Sequence, residues 1–148
     1  MAPLITLLAG SILARIAGWL GVAYADSWTK AIAVGLAAMF VLTGVAHFAP
    51  ALRRRLIAIV PPQLPTPGLL VSVTGVLELL GAVGLLVAAT RVAAAVCLLV
   101  LMVVMFPANV YAARMPNPPK SMTTQLPLRT AEEIVYLAAA ITVAISGG

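Results

Sequence analysis

Five long apolar segments, separated by short polar or proline-containing stretches, divide the chain. Runs of this length with few charged residues are typical of helices that cross a lipid bilayer. We therefore predict an all-α protein, a transmembrane helical bundle formed by one integral membrane domain over residues 1–148. The predicted spans are residues 4–25, 31–49, 68–89, 92–113 and 131–146. The last span is the shortest and would reach about 24 Å at helical rise, so it either crosses a locally thinned bilayer or ends short.

The first segment ends in Ala23-Tyr24-Ala25, which resembles the cleavage site of a secretory signal. A signal peptide carries its positive charge ahead of the apolar stretch. Here no lysine or arginine precedes that stretch, and Arg15 lies inside it. We therefore expect a retained helix, with cleavage within residues 1–25 as the alternative.

The connection over residues 51–67 cannot be a regular span, because it contains three arginines, a short apolar stretch and four prolines. Such a segment suits the headgroup region, with the prolines forming an extended return to the next helix. Pro50 is expected to end the second span. This connection would form a lid or collar at one face of the membrane.

The connection over residues 114–129 is polar and is expected to be a loop. Thr130 and Glu133 have the spacing of a capping box, in which each side chain caps the other residue's backbone amide. Glu132 and Glu133 would also favour the positive end of the helix dipole. The last helix is therefore predicted to begin at Ala131, with Thr130 as its cap.

Composition supports the membrane assignment, since 63% of the residues are hydrophobic, 9% are charged and the mean hydropathy is +1.13. A soluble domain is much less apolar. The net charge of +5 does not indicate nucleic-acid binding, because the basic residues lie between spans rather than among aromatic residues on one face. The one cysteine, Cys97, excludes an internal disulfide and a thiolate metal cluster, and no metal site is predicted. We expect Cys97 to be a small core residue.

The basic residues are distributed unequally between the two sides that five spans would create. Six would lie on one side and only two, Lys30 and Arg91, on the other. We expect the protein to lie in the cell inner membrane. The positive-inside rule places the side with six basic residues in the cytoplasm, so the amino terminus is predicted inside and the carboxyl terminus outside. The residues of the cytoplasmic side are Arg53, Arg54, Arg55, Arg114, Lys120 and Arg129.

Glu78 is the only charged residue of the third segment and lies near its centre. It is too deep to reach water, and small residues one turn away, Gly75 and Gly81, let another helix approach its face. Arg15 lies at a similar depth in the first span, so we predict a midplane ion pair between Arg15 and Glu78. Glu78 is either part of such a structural pair or a site for a ligand, a proton or an ion.

Two further polar residues, His47 and Asn109, come from the second and fourth spans near the cytoplasmic face. Pro107 should bend the fourth span beside Asn109 and make room there. We therefore predict a polar-lined pocket formed by His47, Glu78 and Asn109 that opens toward the cytoplasmic leaflet. The alternative for His47 is an ordinary hydrogen-bonded residue at the membrane interface.

Residues 35–113 contain the stretches GLAAMFVLTGVAHF, TGVLELLGAVGLL and MFPANVYAA. This region resembles the DoxX-like family of small integral membrane proteins. The resemblance implies a four-helix core to which residues 4–25 add one amino-terminal transmembrane helix. It also implies a role like those of relatives in thiosulfate:quinone oxidoreduction, membrane redox defence or the assembly of membrane proteins. Of the matching positions, His47, Glu78 and Asn109 would be the binding residues, and no catalytic residue is carried over.

Three functions fit the sequence. The first is an accessory membrane subunit of a quinone-linked redox assembly, with quinone as the cofactor and electrons supplied by a membrane or peripheral protein partner. The second is a non-enzymatic assembly or scaffold factor, whose helix faces bind membrane partners or a second copy of the chain. The third is a small transporter with Glu78 as the coupling residue, although no inverted repeat supports it.

Overall fold

The computed structural model describes residues 1–119 and 124–147, and these residues form a purely helical structure. Four of the described helices, α1, α2, α4 and α5, are long and apolar enough to cross a membrane. The protein is therefore a helical membrane protein. The helices are α1 (Ala2–Trp19), α2 (Trp28–Ala46), α3 (Pro50–Ala58), α4 (Pro67–Leu86), α5 (Arg91–Arg114) and α6 (Leu126–Ser146).

The bundle is built around α2, which packs against α1, α4 and α6, while α5 packs between α4 and α6. The core between these helices consists of buried apolar side chains such as Leu36, Leu85, Leu98 and Val143. On the outside, large apolar residues are exposed on every long helix, as expected for surfaces that face lipid tails. The four helices α2, α4, α5 and α6 thus enclose the interior, and α1 lies against α2.

The long helices run between two ends of the bundle. One end, called here the arginine-rich end, contains α3, the end of α5 and the start of α6. At the opposite end, residues from the turn before α2, the turn before α5 and the end of α6 surround one depression. The helix α6, with 21 residues, therefore extends along the full bundle, although three charged residues lie among its first eight.

Two glycines bring α2 and α4 close together beside the cavity described below. A β-carbon on Gly75 would lie 2.5 Å from the His47 β-carbon, and one on Gly44 would lie 2.8 Å from Leu79 Cγ. Both distances are shorter than side-chain packing allows. The two helices approach this closely because neither position carries a side chain.

The first helix is shorter than the sequence predicts. It ends at Trp19 rather than at residue 25, because Gly21 adopts a φ of +102° and Val22 is extended before a single 3₁₀ turn. The second helix starts at Trp28, three residues earlier than predicted, with the Ser27 hydroxyl accepting a hydrogen bond from the Lys30 amide. Ser27 is a favourable N-cap residue that the hydropathy pattern did not reveal.

Both long connections differ from the prediction. Pro50 does not end the second span but occupies the first turn of α3, where its missing N–H costs nothing. The predicted capping box is also wrong, because α6 begins at Leu126 and the Thr130 hydroxyl donates to the Leu126 carbonyl from inside the helix. Lys120, which was assigned to this connection, lies outside the described residues.

The third and fourth predicted spans correspond to α4 and α5, which pack against each other. A 3₁₀ turn over Ala88–Thr90 connects the two helices, and α5 continues through Pro107. Cys97 is exposed on α5, so its prediction as a core residue was wrong. A thiol is apolar enough to face lipid as readily as a core.

Candidate functional site

A cavity of about 530 Å³ lies between α2, α4, α5 and α6 toward the arginine-rich end. The start of α1 and one side of α3 also line it. This volume lies in the range typical of sites for small organic ligands. The three residues that the sequence selected, His47, Glu78 and Asn109, all line it. Its apolar wall includes Met39, Phe40, Leu42, Val45, Leu52, Leu56, Met102 and Met105.

Glu78 is buried, with 4% of its surface exposed, and its carboxyl group faces α2. The Thr43 hydroxyl donates a hydrogen bond to Glu78 Oε2 at 2.5 Å. The His47 Nδ1 atom lies 3.9 Å from the same oxygen. Glu78 therefore forms one polar cluster with Thr43 and His47. Thr43 lies in the last turn of α2, and His47 follows one turn later at the end of the helix.

The predicted ion pair between Arg15 and Glu78 is wrong. The Arg15 guanidinium lies over the rings of Trp19 and Trp28, at 4.9 and 5.8 Å from their centres, and Nη1 donates to the Ala25 carbonyl at 3.4 Å. Because α1 ends at Trp19, Arg15 is about one helical turn from the end of its helix. It can reach the aromatic residues and the backbone there, and such cation–π contacts are favourable.

His47 follows directly on the last residue of α2 and is 4% exposed. Its Nδ1 atom is 2.8 Å from the Thr43 carbonyl oxygen. The Arg53 side chain, from α3, donates to the His47 carbonyl at 3.1 Å and to the Gly68 carbonyl at 2.8 Å. The imidazole is thus held by a hydrogen bond to its own helix. The backbone of His47 is connected to the start of α4 through the Arg53 side chain.

A second polar group enters the cavity from α5 and α6. Asn109 Oδ1 accepts a hydrogen bond from Arg129 Nη1 at 3.1 Å. Glu133 Oε1 and the Tyr136 hydroxyl are buried and have no hydrogen-bond partner among the described residues. Both line the cavity, so both are available to a ligand.

Sequence reasoning missed the contribution of α6 to this site. Glu133 was interpreted as a helix cap, because the helix was predicted to begin at Ala131, five residues too late. Tyr136 was not selected as a site residue. Thr43 could have been found, since it precedes His47 by four residues and shares its helical face. No sequence pattern indicated that Arg129 would meet Asn109.

The arrangement suits hydrogen bonding to a small amphipathic molecule. Within the described ranges, no group of three histidine, cysteine, aspartate or glutamate side chains could hold a metal ion. The cavity offers three carboxyl groups, an imidazole, an amide, a guanidinium and a phenol within largely apolar walls. A ligand with a ring and a few polar atoms would find partners for both parts.

The comparisons assign this region to a family. The model of Domain of unknown function (DUF8561) matches residues 36–145. The chain belongs to this family. The DUF8561 region runs from Leu36 in α2 to Ile145 in α6, so it includes every polar cavity residue named above, while α1 lies before it. No curated protein and no solved structure matches the chain.

Proposed function

We propose that this DUF8561 protein is an accessory membrane subunit that binds a quinone-type headgroup in the cavity between α2, α4, α5 and α6. One observation carries the proposal. His47 and Glu78, buried side chains from two helices, place their polar atoms 3.9 Å apart in the wall of a cavity that is otherwise mainly apolar.

A quinone-type ligand matches this cavity in chemistry and in location. Its ring is apolar on both faces and would contact methionine and aromatic side chains such as Met39, Phe40 and Met102. Its two oxygens need hydrogen-bond partners, which His47 and the second polar group supply. Such lipids also dissolve in the bilayer, so the ligand would reach the cavity from the membrane. Electrons would come from a partner redox protein.

The DoxX-like resemblance supports the same proposal. His47, Glu78 and Asn109 were selected from the three stretches that carry the resemblance, and all three line one cavity. In this proposal α2, α4, α5 and α6 correspond to the four-helix core, and α1 is the added amino-terminal helix.

The proposed location is the cell inner membrane, with the arginine-rich end in the cytoplasm. Five of the basic residues assigned to the cytoplasm, Arg53, Arg54, Arg55, Arg114 and Arg129, lie in the helices of this end. The opposite end contains Lys30 and Arg91, with Arg15 about one turn away. The asymmetry is the one that the positive-inside rule requires. With α6 as a fifth span, the carboxyl terminus would be outside.

The test is to measure quinone that remains bound through purification. Wild type, His47→Ala and Thr142→Ala would be purified from the same membranes into nanodiscs, and the extracted quinones quantified by mass spectrometry. Thr142 is exposed on α6 and its hydroxyl bonds only within its own helix, so its variant is the matched control. We expect quinone in wild type and the control, and a loss of several-fold in His47→Ala.

An assembly or scaffold function is the alternative. If wild type retains no more quinone than an unrelated membrane protein of similar size, the quinone proposal fails. The scaffold function then takes its place, and a co-purifying membrane protein would be its positive evidence.

A further inference from the structure

We infer that the cavity selects the reduced, hydroxyl-bearing quinol over the oxidised quinone, and that His47 Nε2 is an acceptor that favours the quinol. The inference rests on the proposed function and specifies the ligand of the same cavity. It follows from the hydrogen bonding of one imidazole ring and from the buried position of that ring.

The position of the proton on His47 follows from its partner. Nδ1 lies 2.8 Å from the Thr43 carbonyl oxygen, and a carbonyl oxygen can only accept a hydrogen bond. Nδ1 therefore carries the hydrogen. A neutral imidazole has one N–H, so its Nε2 atom then has a lone pair and acts as an acceptor.

The Nε2 atom is available to a ligand. Side-chain hydrogen bonding of His47 within the described residues involves Nδ1, and the residue is 4% exposed and lines the cavity. A ligand that displaces water from Nε2 must supply a donor there, because an acceptor left without one is unfavourable. The cavity therefore favours a ligand that presents a hydroxyl group at this point.

The two oxidation states of the ligand differ in that respect. A quinol hydroxyl donates to Nε2 and satisfies both atoms. A quinone carbonyl would face Nε2 with a second acceptor, which leaves both groups unpaired. The neighbouring Glu78 Oε2 atom lies 3.9 Å from Nδ1, the ring nitrogen other than Nε2, and accepts from the Thr43 hydroxyl.

The second polar group does not reverse this preference. The Tyr136 hydroxyl can donate to a quinone or accept from a quinol, since a phenol does both. Asn109 already accepts from Arg129 through Oδ1, and its amide nitrogen can donate to an oxygen of either form. Glu133 Oε1, which has no partner among the described residues, can accept from a quinol hydroxyl. It therefore acts in the same direction as His47 Nε2.

The experiment compares both forms on the intact protein in nanodiscs. Decylubiquinol and decylubiquinone are titrated anaerobically by equilibrium dialysis, with empty nanodiscs subtracted to remove partitioning into lipid. We expect the quinol to bind about tenfold more tightly or better, which is the ratio that one satisfied hydrogen bond supports. His47→Gln should lower this ratio, because its amide can rotate to donate or accept.

The ring can also be observed directly, because the chain has a single histidine. In protein labelled with ¹⁵N-histidine, Nδ1 should give the signal of a protonated nitrogen and Nε2 that of an unprotonated one. Decylubiquinol should shift the Nε2 signal, whereas decylubiquinone should leave it unchanged. The Thr142→Ala variant should reproduce both results.

The outcomes separate the two proposals. If neither form binds above the empty nanodisc, the proposed function fails and this inference fails with it. If both forms bind wild type equally, or the quinone binds more tightly, the quinone-type site stands and the selection of quinol is overturned. A protonated Nε2 in the free protein would overturn it as well.

Discussion

At the scale of single residues, the site depends on how Glu78 is accommodated without a positive charge. A carboxyl group deep in a membrane protein is costly unless polar groups solvate it. Here the solvation comes from the Thr43 hydroxyl, at 2.5 Å, and from the nearby imidazole of His47. Thr43 accepts from His47 through its carbonyl oxygen and donates to Glu78 through its hydroxyl, so it positions both side chains. A change that destabilises Glu78 should therefore also weaken ligand binding.

We expect Thr43→Val to destabilise the protein by about 1–2 kcal/mol, because it leaves Glu78 Oε2 without its donor at nearly constant side-chain volume. Bound quinone should fall in the same variant. Chemical denaturation in detergent measures the first effect and mass spectrometry the second. Thr142→Val is the matched control, since Thr142 is exposed and bonds only to the Ala138 carbonyl. Equal losses in the two variants would remove the role assigned to Thr43.

At the scale of helices, the contact between α2 and α4 sets the position of His47. A β-carbon at Gly75 would lie 2.5 Å from the His47 β-carbon and 3.0 Å from Phe48 Cε2. The neighbouring helix α3 is fixed to both of these helices by Arg53. The helices α2 and α4 and the connecting helix α3 therefore all contact or bond to His47.

Gly75→Ala should force α4 away from His47 and cost about 1–3 kcal/mol, the range for overpacking a tight contact. Ligand affinity should fall with it, because His47 loses its position. Gly68→Ala is the control on the same helix, since its β-carbon would meet only ordinary contacts at 3.8 and 3.9 Å. Thermal unfolding and quinol titration of both variants test this, and a Gly75→Ala protein as stable as Gly68→Ala would contradict it.

Arg53→Ala should release α3 from the start of α4, because both of its hydrogen bonds to carbonyl groups are lost. Hydrogen bonds from a charged group contribute about 1.5–3 kcal/mol, so amide exchange over residues 50–58 should accelerate at least tenfold. Hydrogen–deuterium exchange with mass spectrometry measures it. Arg54→Ala removes the same charge from an exposed neighbour and should leave the exchange unchanged. If the two variants show the same exchange, the positive charge of the arginines, and not the two hydrogen bonds of Arg53, holds α3 in place.

At the scale of the whole molecule, the two ends of the bundle differ in charge, and this difference predicts the orientation. In a Cys97→Ala background, a cysteine at Gln63 should be labelled only from the cytoplasmic side and one at Ala23 only from outside. Both positions are exposed and lie at opposite ends of the bundle. Membrane-impermeant maleimides on intact and permeabilised cells make the measurement. Labelling of the Gln63 position in intact cells would reverse the orientation.

The apolar pattern predicted four helices that are long and apolar enough to cross a membrane, because length and hydropathy decide this property. The fifth predicted span corresponds to α6, which is not one of these four. The pattern did not predict the ends of the helices, which depend on local features such as the φ of Gly21 and the cap at Ser27. The error at the end of α1 had a consequence. It placed Arg15 near the middle of the membrane, at the depth of Glu78, and so suggested the wrong partner for Glu78.

The cavity was predictable in part. His47, Glu78 and Asn109 were expected to meet because each lies on a different span at a compatible depth, and they do line one cavity. The share of α6 was not expected, because its start at Leu126 is not marked by hydropathy or by a capping side chain. Which residues of α6 face inward depends on how it packs against α2 and α5, and a single sequence does not show that.

The central claim is that a quinone-type ligand occupies the cavity beside His47 and Glu78, and photoaffinity labelling tests it most directly. An azido-quinone would be photolysed with the protein in nanodiscs and the labelled residues mapped by peptide mass spectrometry. We predict adducts on the cavity wall, at residues such as Met39 or Met102, and their loss when decylubiquinol is added in excess. Adducts confined to outward-facing residues such as Leu80 and Val104, unaffected by the competitor, would show that the quinone lies in the lipid and that the cavity does not bind it.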